Sequence, residues 1–295
     1  MLISHRFLGV ILSVALAPAL GYAGPVPAPP AAKSFPLGAF KVTALRDALN
    51  VVPNDNSVFG VGRTPAEVAQ VLAAAGAPTD KITLGVDALL VQGRGRVMLF
   101  DTGLGPRVRG QVVASLALAG LTPDQVTDVF ITHSHFDHVG GLLTLDGHST
   151  FPKAVIHMSS EEWGFMSAQP SNADLVKVIA VQVKPFLPGG VVSPGVRSVA
   201  LVGHTPGHTG YDISSGGAHL IDIGDSAHSA IISLAKPDWD IEYDQDFTAG
   251  RATRRAILTR LAASHEWVFA PHFPFPGVGK VEVKGDGFVW APGKP

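Results

Sequence analysis

The 295-residue chain contains no cysteine, so disulfides and thiolate metal ligands are excluded outright. Charged residues are scarce at 16%, and 22 Lys and Arg against 24 Asp and Glu leave a formal net charge of -2. A basic stripe able to hold a polyanion is therefore not expected, which argues against a nucleic-acid partner. There is no Gly-x-Ser-x-Gly elbow, so a nucleophilic serine of that type is absent. No internal repeat is visible, and no composition break after residue 36 marks a second domain. What the chain does hold is 46% hydrophobic residues, enough for one large core, and 12 histidines. Histidine without cysteine directs any metal chemistry toward imidazole and carboxylate ligands.

The first 23 residues read as an export signal. His5 and Arg6 form a short n-region, residues 7–20 are apolar apart from Ser13 and broken by Pro18, and Gly21 and Ala23 supply small residues for cleavage after Ala23. The run is too short to cross a bilayer comfortably, so the expectation is a periplasmic or secreted protein with no stable membrane insertion once the signal is removed. Residues 24–36 carry Pro25, Pro27, Pro29, Pro30 and Pro36 and read as an extended Pro/Ala-rich linker. Residues 37–295 form the single domain.

Strand and helix signals alternate from residue 40 onward. Residues 40–45 alternate apolar and polar, which predicts an edge or half-buried strand. Thr64-Pro65-Ala66-Glu67 is a capping box with proline at the first helical position, and Gly76 follows the helix it opens. Residues 82–91 and 97–100 flank Gly93-Arg94-Gly95 as a hairpin. Residues 108–118 and a turn opened by Thr122 read as helical, and residues 129–132, 154–158, 199–202, 219–223 and 267–270 as strands. Residues 248–263 form the clearest amphipathic helix, with Arg251, Arg254, Arg255 and Arg260 expected in solvent. The mixture predicts sheets covered by helices on their outer faces.

The chemistry is concentrated in His133-Ser134-His135-Phe136-Asp137-His138, which follows a β-branched run and precedes Gly140-Gly141. A strand-end loop can aim its first and third residues at one point and its fifth and sixth at another, so four donors suit two neighbouring metal ions. Nitrogen and carboxylate donors fit Zn²⁺, with Mn, Fe or Co as alternatives. Further polar donors close later apolar strands: His204 and His208 in Gly203-His204-Thr205-Pro206-Gly207-His208, Asp222 and Asp225 around Gly224, and His272 after Pro271. Spacing alone leaves both His204 and His208 open.

With these residues in hand, the chain resembles the metallo-β-lactamase superfamily over nearly everything after residue 36. Within it, the resemblance is greatest to methyl parathion hydrolase and its relatives, through Leu37-Gly38-Ala39-Phe40, Asp101-Thr102-Gly103, residues 131–141 and 203–209, Gly224-Asp225, and His272-Phe273-Pro274-Phe275-Pro276-Gly277. The resemblance implies a four-layer αββα sandwich of the α/β (α+β) class with two metals at one edge. It assigns His133, His135 and His204 to the first ion, Asp137, His138 and His272 to the second, and Asp225 as the bridge. His204 is preferred because the family's ligand precedes Thr-x-Gly. His208 is then a group that orients a ligand or a structural loop histidine, and Asp101 a supporting carboxylate.

The implied reaction is hydrolysis of a small-molecule substrate by a bridging hydroxide, with Asp137 and Asp225 as the catalytic carboxylates. A small, fairly apolar ester, lactone or phosphotriester is expected. The bridging Asp225 disfavours a β-lactamase, and no basic residues suited to a glyoxalase II-like thioesterase are identifiable. A periplasmic metal-binding domain is the non-enzyme alternative. The resemblance also allows a homodimer. Lactonases that resemble this chain carry a tyrosine where His228 stands, so His228 is read as a partly exposed loop residue or a substitute hydrogen-bond donor. Trp163 falls where methyl parathion hydrolase has a pocket tryptophan, and Phe136, Phe273 and Phe275 adjoin ligands, as ordinary core packing or as candidate pocket wall.

Overall fold

The computed structural model describes residues 25–295; the signal segment read in residues 1–23 lies outside them. Two seven-stranded sheets form the centre of the molecule. The first runs, edge to edge, β1 (Val26–Leu37), β2 (Phe40–Pro53), β4 (Lys81–Gly93), β5 (Arg96–Phe100), β6 (Asp128–Phe130), β7 (Val155–Ser159) and β8 (Val183–Phe186). It is antiparallel from β1 to β5 and parallel from β5 to β8. The second sheet runs β16 (Gly287–Pro292), β15 (Val278–Lys284), β14 (Trp267–Phe269), β12 (Ala218–Asp222), β11 (Thr209–Ser215), β10 (Val196–Ala200) and β9 (Val191–Ser193). A small pair, β3 (Phe59–Val61) with β13 (Asp240–Ile241), closes one end.

Phe35, Leu37, Phe40, Val42, Phe100 and Phe130 of the first sheet meet Tyr211, Ile213, Leu220, Phe269 and Val278 of the second, and every one of them is buried. Phe100 and Phe130 stack at 4.8 Å, and Tyr211 meets both edge-on at 5.4 Å. The outer face of the first sheet is covered by α2 (Val112–Leu118), α4 (Ser160–Ala168) and α5 (Ala173–Ile179), and that of the second by the short α6 (Ile232–Ala235) and by α7 (Phe247–Ser264). The result is the αββα sandwich. The hydrophobic runs set this order, because β4 and β6 bury both faces and need a layer on each side. The capping box at Thr64 opens α1 (Pro65–Ala74) as read, with Thr64 Oγ1 accepting from the Glu67 N–H at 3.3 Å.

Three sequence expectations are corrected here. The stretch 24–36 is not a free linker: residues 26–37 form β1, paired with β2 from Val26–Leu49 to Leu37–Phe40. Its prolines are tolerated because β1 is an edge strand, and the register slips between Pro27 and Ala31, where Pro29 and Pro30 sit. β2 is consequently an interior strand with a mostly buried pattern, not a half-buried edge. Arg254 is buried on the core side of α7, while Arg251, Arg255 and Arg260 reach solvent to differing degrees. No helix among the described residues is long and apolar enough to cross a membrane.

Candidate metal centre

Every donor read from the sequence sits just beyond the C-terminal end of a strand. β6 ends at Phe130, and the chain passes through Ile131 and Thr132 to His133 and His135 before the short helix α3 (Phe136–Val139) turns Asp137 and His138 inward. β10, β12 and β14 deliver His204, Asp225 and His272 in the same way. Gly224 makes the turn into Asp225 possible: its φ is +46°, and a Cβ there would lie 2.5 Å from His208 Nε2.

The donors form two groups sharing one carboxylate. His133 Nε2, His135 Nδ1 and His204 Nε2 lie 2.8–3.1 Å from one another, and Asp225 Oδ2 lies 3.6 Å from His133 Nε2 and 3.3 Å from His204 Nε2. Across from them, His138 Nε2 is 3.8 Å from Asp137 Oδ1 and 3.3 Å from Asp225 Oδ1, while His272 Nε2 is 3.6 Å from Asp137 Oδ2 and 3.1 Å from Asp225 Oδ2. Both groups could hold a metal ion. The donor atoms fit one: His138 Nε2 and Asp225 Oδ1 are buried with no hydrogen-bond partner, an arrangement that is costly unless a cation receives their lone pairs.

The opposite ring nitrogens are held in place. His138 Nδ1 bonds Asp101 Oδ2 at 2.7 Å, His204 Nδ1 bonds Asp244 Oδ1 at 3.1 Å, His272 Nδ1 donates to the Gly85 carbonyl at 2.7 Å, and His133 Nδ1 meets Thr132 Oγ1 at 3.0 Å. Such partners fix the tautomer and aim the other nitrogen at the centre. Asp101 adopts φ +57°, rare for a residue with a Cβ, while also accepting the Thr132 N–H and O–H at 2.8 Å each.

Burial and the neighbouring rings push His133 down, and His135 down to about 3, which leaves their lone pairs free. Burial opposes charge on His272 as well, but Asp225 and Asp137 lift it to about 9. Burial works against ionised Asp225 too, yet His138, His272 and His228 hold its carboxyl well below the ordinary range.

The remaining candidates separate. His208 is buried between the Leu201 carbonyl, 2.8 Å from Nδ1, and the Asp225 N–H, which donates to Nε2 at 2.9 Å. It thus props the loop of Asp225 and belongs to neither donor group. His228 is buried, contrary to the partly exposed reading: a 3.1 Å approach to Asp225 Oδ2 and a stack on His272 draw it into the centre, where Asp225, His228 and His272 form a third possible group. Phe136 is 51% exposed and lines the adjoining cavity, of about 480 Å³, together with Leu84, Val86, Leu104, Asn50, Glu242, Tyr243 and Gln245. Trp163, Phe273 and Phe275 do not line it. Trp163 packs against the core beneath α4, Phe273 is buried against Trp290 on the far face of the second sheet, and Phe275 lies under the Arg46 guanidinium. Asp244 and Asp47 were not legible, since neither stands in a motif. Asp47 accepts N–H groups of Leu104, Gln111 and Val112, holding the loop that forms one pocket wall.

Residues 82–272, more than half of the chain, match the family model of the metallo-beta-lactamase superfamily. Metallo-beta-lactamase domain-containing protein 1 of Xenopus laevis is 39% identical over 127 residues, 42% of this chain and 45% of that protein. The chain therefore spans less than half the length of that relative. Among solved structures, AidC, a dizinc quorum-quenching lactonase in complex with its product N-hexanoyl-L-homoserine, superposes with a TM-score of 0.85 at 28% identity, over 90% of this chain and 98% of that one. The hydrolase AbOPH of the beta-lactamase superfamily gives a TM-score of 0.81 at 26% identity, over the same shares. By its fold, its donor geometry and the matching family model, the chain belongs to the metallo-β-lactamase superfamily.

Proposed function

We propose that the protein is a dinuclear metal-dependent hydrolase that opens small, neutral, acyl-bearing lactones. The observation that carries this is the convergence of two donor groups on the shared carboxylate Asp225, at the floor of a pocket whose walls include Leu84, Val86, Leu104 and Phe136. Two divalent ions, zinc by the chemistry of the donors with Mn, Fe or Co as alternatives, would acidify an attacking water and polarise the ester carbonyl. Asp137 keeps 29% of its side chain accessible, so its carboxylate can take the proton of the attacking water and return it to the leaving oxygen. His228 can donate to the substrate oxygen that gains charge, the place a tyrosine takes in lactonases of this fold. Apolar walls suit an acyl chain, at roughly 25 cal/mol per Å² removed from water.

Charge supports a neutral substrate. Glu242 is the one carboxylate lining the pocket outside the donor groups, and no Lys or Arg lines it among the described residues. Glutathione or β-lactam carboxylates would therefore find no Lys or Arg on the pocket wall to receive them away from the donor groups. The likeness to AidC supports the lactone class. The motif resemblance to methyl parathion hydrolase supports a phosphotriester as second reading. Residues 1–23 support export, so the substrate would be one that diffuses outside the cytoplasm.

The test is to count metals per chain by elemental analysis and to assay an N-acyl homoserine lactone, an aryl ester, a phosphotriester and a β-lactam. About two ions, turnover greatest on the lactone, and loss of that turnover in Asp225→Ala are expected. One ion or none after reconstitution, with all four substrates inert, overturns the proposal; turnover on the phosphotriester alone overturns its lactone part.

A further inference from the structure

Glu162, near the start of α4, is a fully buried carboxylate that the hydrolytic reading does not use. Its Oε1 accepts the N–H of Ser134 at 2.7 Å and the Ser134 hydroxyl at 2.5 Å. Its Oε2 accepts the Thr205 hydroxyl at 2.6 Å and the Gly207 N–H at 3.2 Å. Ser134 stands between His133 and His135, and Thr205 follows His204. Each oxygen of one planar group therefore grips one of the two loops that supply the first donor group. A buried carboxylate is expensive unless its lone pairs are filled, and here all four donors come from those loops.

The contact is close on every side. Ser159 Oγ accepts the Glu162 N–H at 3.1 Å and donates to the Gly207 carbonyl at 2.7 Å, and a Cβ on Gly207 would lie 2.1 Å from the Glu162 nitrogen. The second donor group, Asp137, His138 and His272, makes no hydrogen bond with the Glu162 carboxylate among those described; His138 and His272 are oriented instead by Asp101 and the Gly85 carbonyl.

We propose that Glu162 is a positioning residue that sets the metal affinity of the first donor group, His133, His135 and His204, without setting that of the second. The proposal rests on the reading of a dinuclear centre, not on the identity of the substrate. With the carboxylate in place, the two loops are held at one separation before an ion arrives. With an amide there, the –NH2 end confronts the N–H of Gly207 or Ser134 and one loop is released.

The experiment strips the full chain with a chelator and titrates it with Zn²⁺ against a chromophoric competitor, and with Co²⁺ followed by its visible absorption. In Glu162→Gln, one ion should bind as in the parent and the other about 10–100-fold more weakly. Ser134→Ala and Thr205→Val, which keep the carboxylate and remove one hydroxyl each, should weaken the same ion by a smaller factor. They carry the test if Glu162→Gln does not fold. Asp137→Ala, as reference, should weaken the other ion. Melting of the metal-free variants monitors general destabilisation, which would lower the melting temperature without separating the two affinities. Equal weakening of both ions, or no change in either, overturns the proposal. Because no turnover is read, these outcomes stand apart from the lactone assignment; a parent chain that binds no metal would instead fail the dinuclear reading.

Discussion

Asp47 lies on the interior strand β2 and accepts three backbone N–H groups from the 104–112 loop. Burial raises its carboxyl from the ordinary 3.8 to about 6 against the pull of those donors. Folding thus favours its protonated form. The contribution is complete below about pH 3.8 and is lost as the pH rises through about 6, at most on the order of 3 kcal/mol. Asp47→Asn carries no titration, so its stability deficit relative to the parent should shrink between pH 4 and pH 7 in urea unfolding. A deficit constant over that range would mean that Asp47 titrates normally. The candidate metal donors were legible at this scale because His133, His135, Asp137 and His138 crowd one motif, while His204, Asp225 and His272 each follow an apolar run. Asp47, Glu162 and Asp244 were not, since a lone carboxylate between ordinary neighbours carries no local sign of the loops it will hold.

The helix α7 shows the same division within one element. Its amphipathic pattern is plain, with Ile257, Leu258 and Leu261 buried, and it starts where the Asp246 carboxylate accepts the Ala249 N–H at 2.9 Å. Arg254 precedes those apolar residues by three, four and seven positions, so it belongs to the buried stripe despite its charge. Inside, it donates to the carbonyls of Ser226, Pro237 and Trp239 at 2.9–3.0 Å and pairs with Asp244, which in turn orients His204. Arg254→Leu should cost about 3–5 kcal/mol in chemical unfolding, because it strands a buried carboxylate. Arg260→Ala, which removes only a half-exposed pair with Glu266, should cost no more than about 1 kcal/mol. Similar losses in both would refute the assigned role of Arg254. The proline-rich β1 escaped notice for the opposite reason: its residues look like a linker until β2 offers a partner, and pairing between strands is a tertiary fact.

At the scale of the whole molecule, every strand of the first sheet comes from residues 26–186 and every strand of the second from residues 191–292. His133, His135, Asp137 and His138 belong to the first stretch, and His204, Asp225 and His272 to the second, so each candidate ion would take ligands from both sheets. Stripping the metal should therefore loosen the union of the sheets. With free metal near 100-fold above the dissociation constant, its removal costs about 2.7 kcal/mol per site, or a fall in melting temperature of roughly 4–5 °C per site for a chain of this size. Calorimetry with and without a chelator would show it, and an unchanged melting temperature would refute the stapling role. The two stretches are joined through residues 187–190, where Leu187 is 80% exposed. A chain severed there would turn intramolecular docking into an association between two fragments. Divalent metal would then act as the mortar of that assembly, and its free concentration would dictate how much whole protein forms.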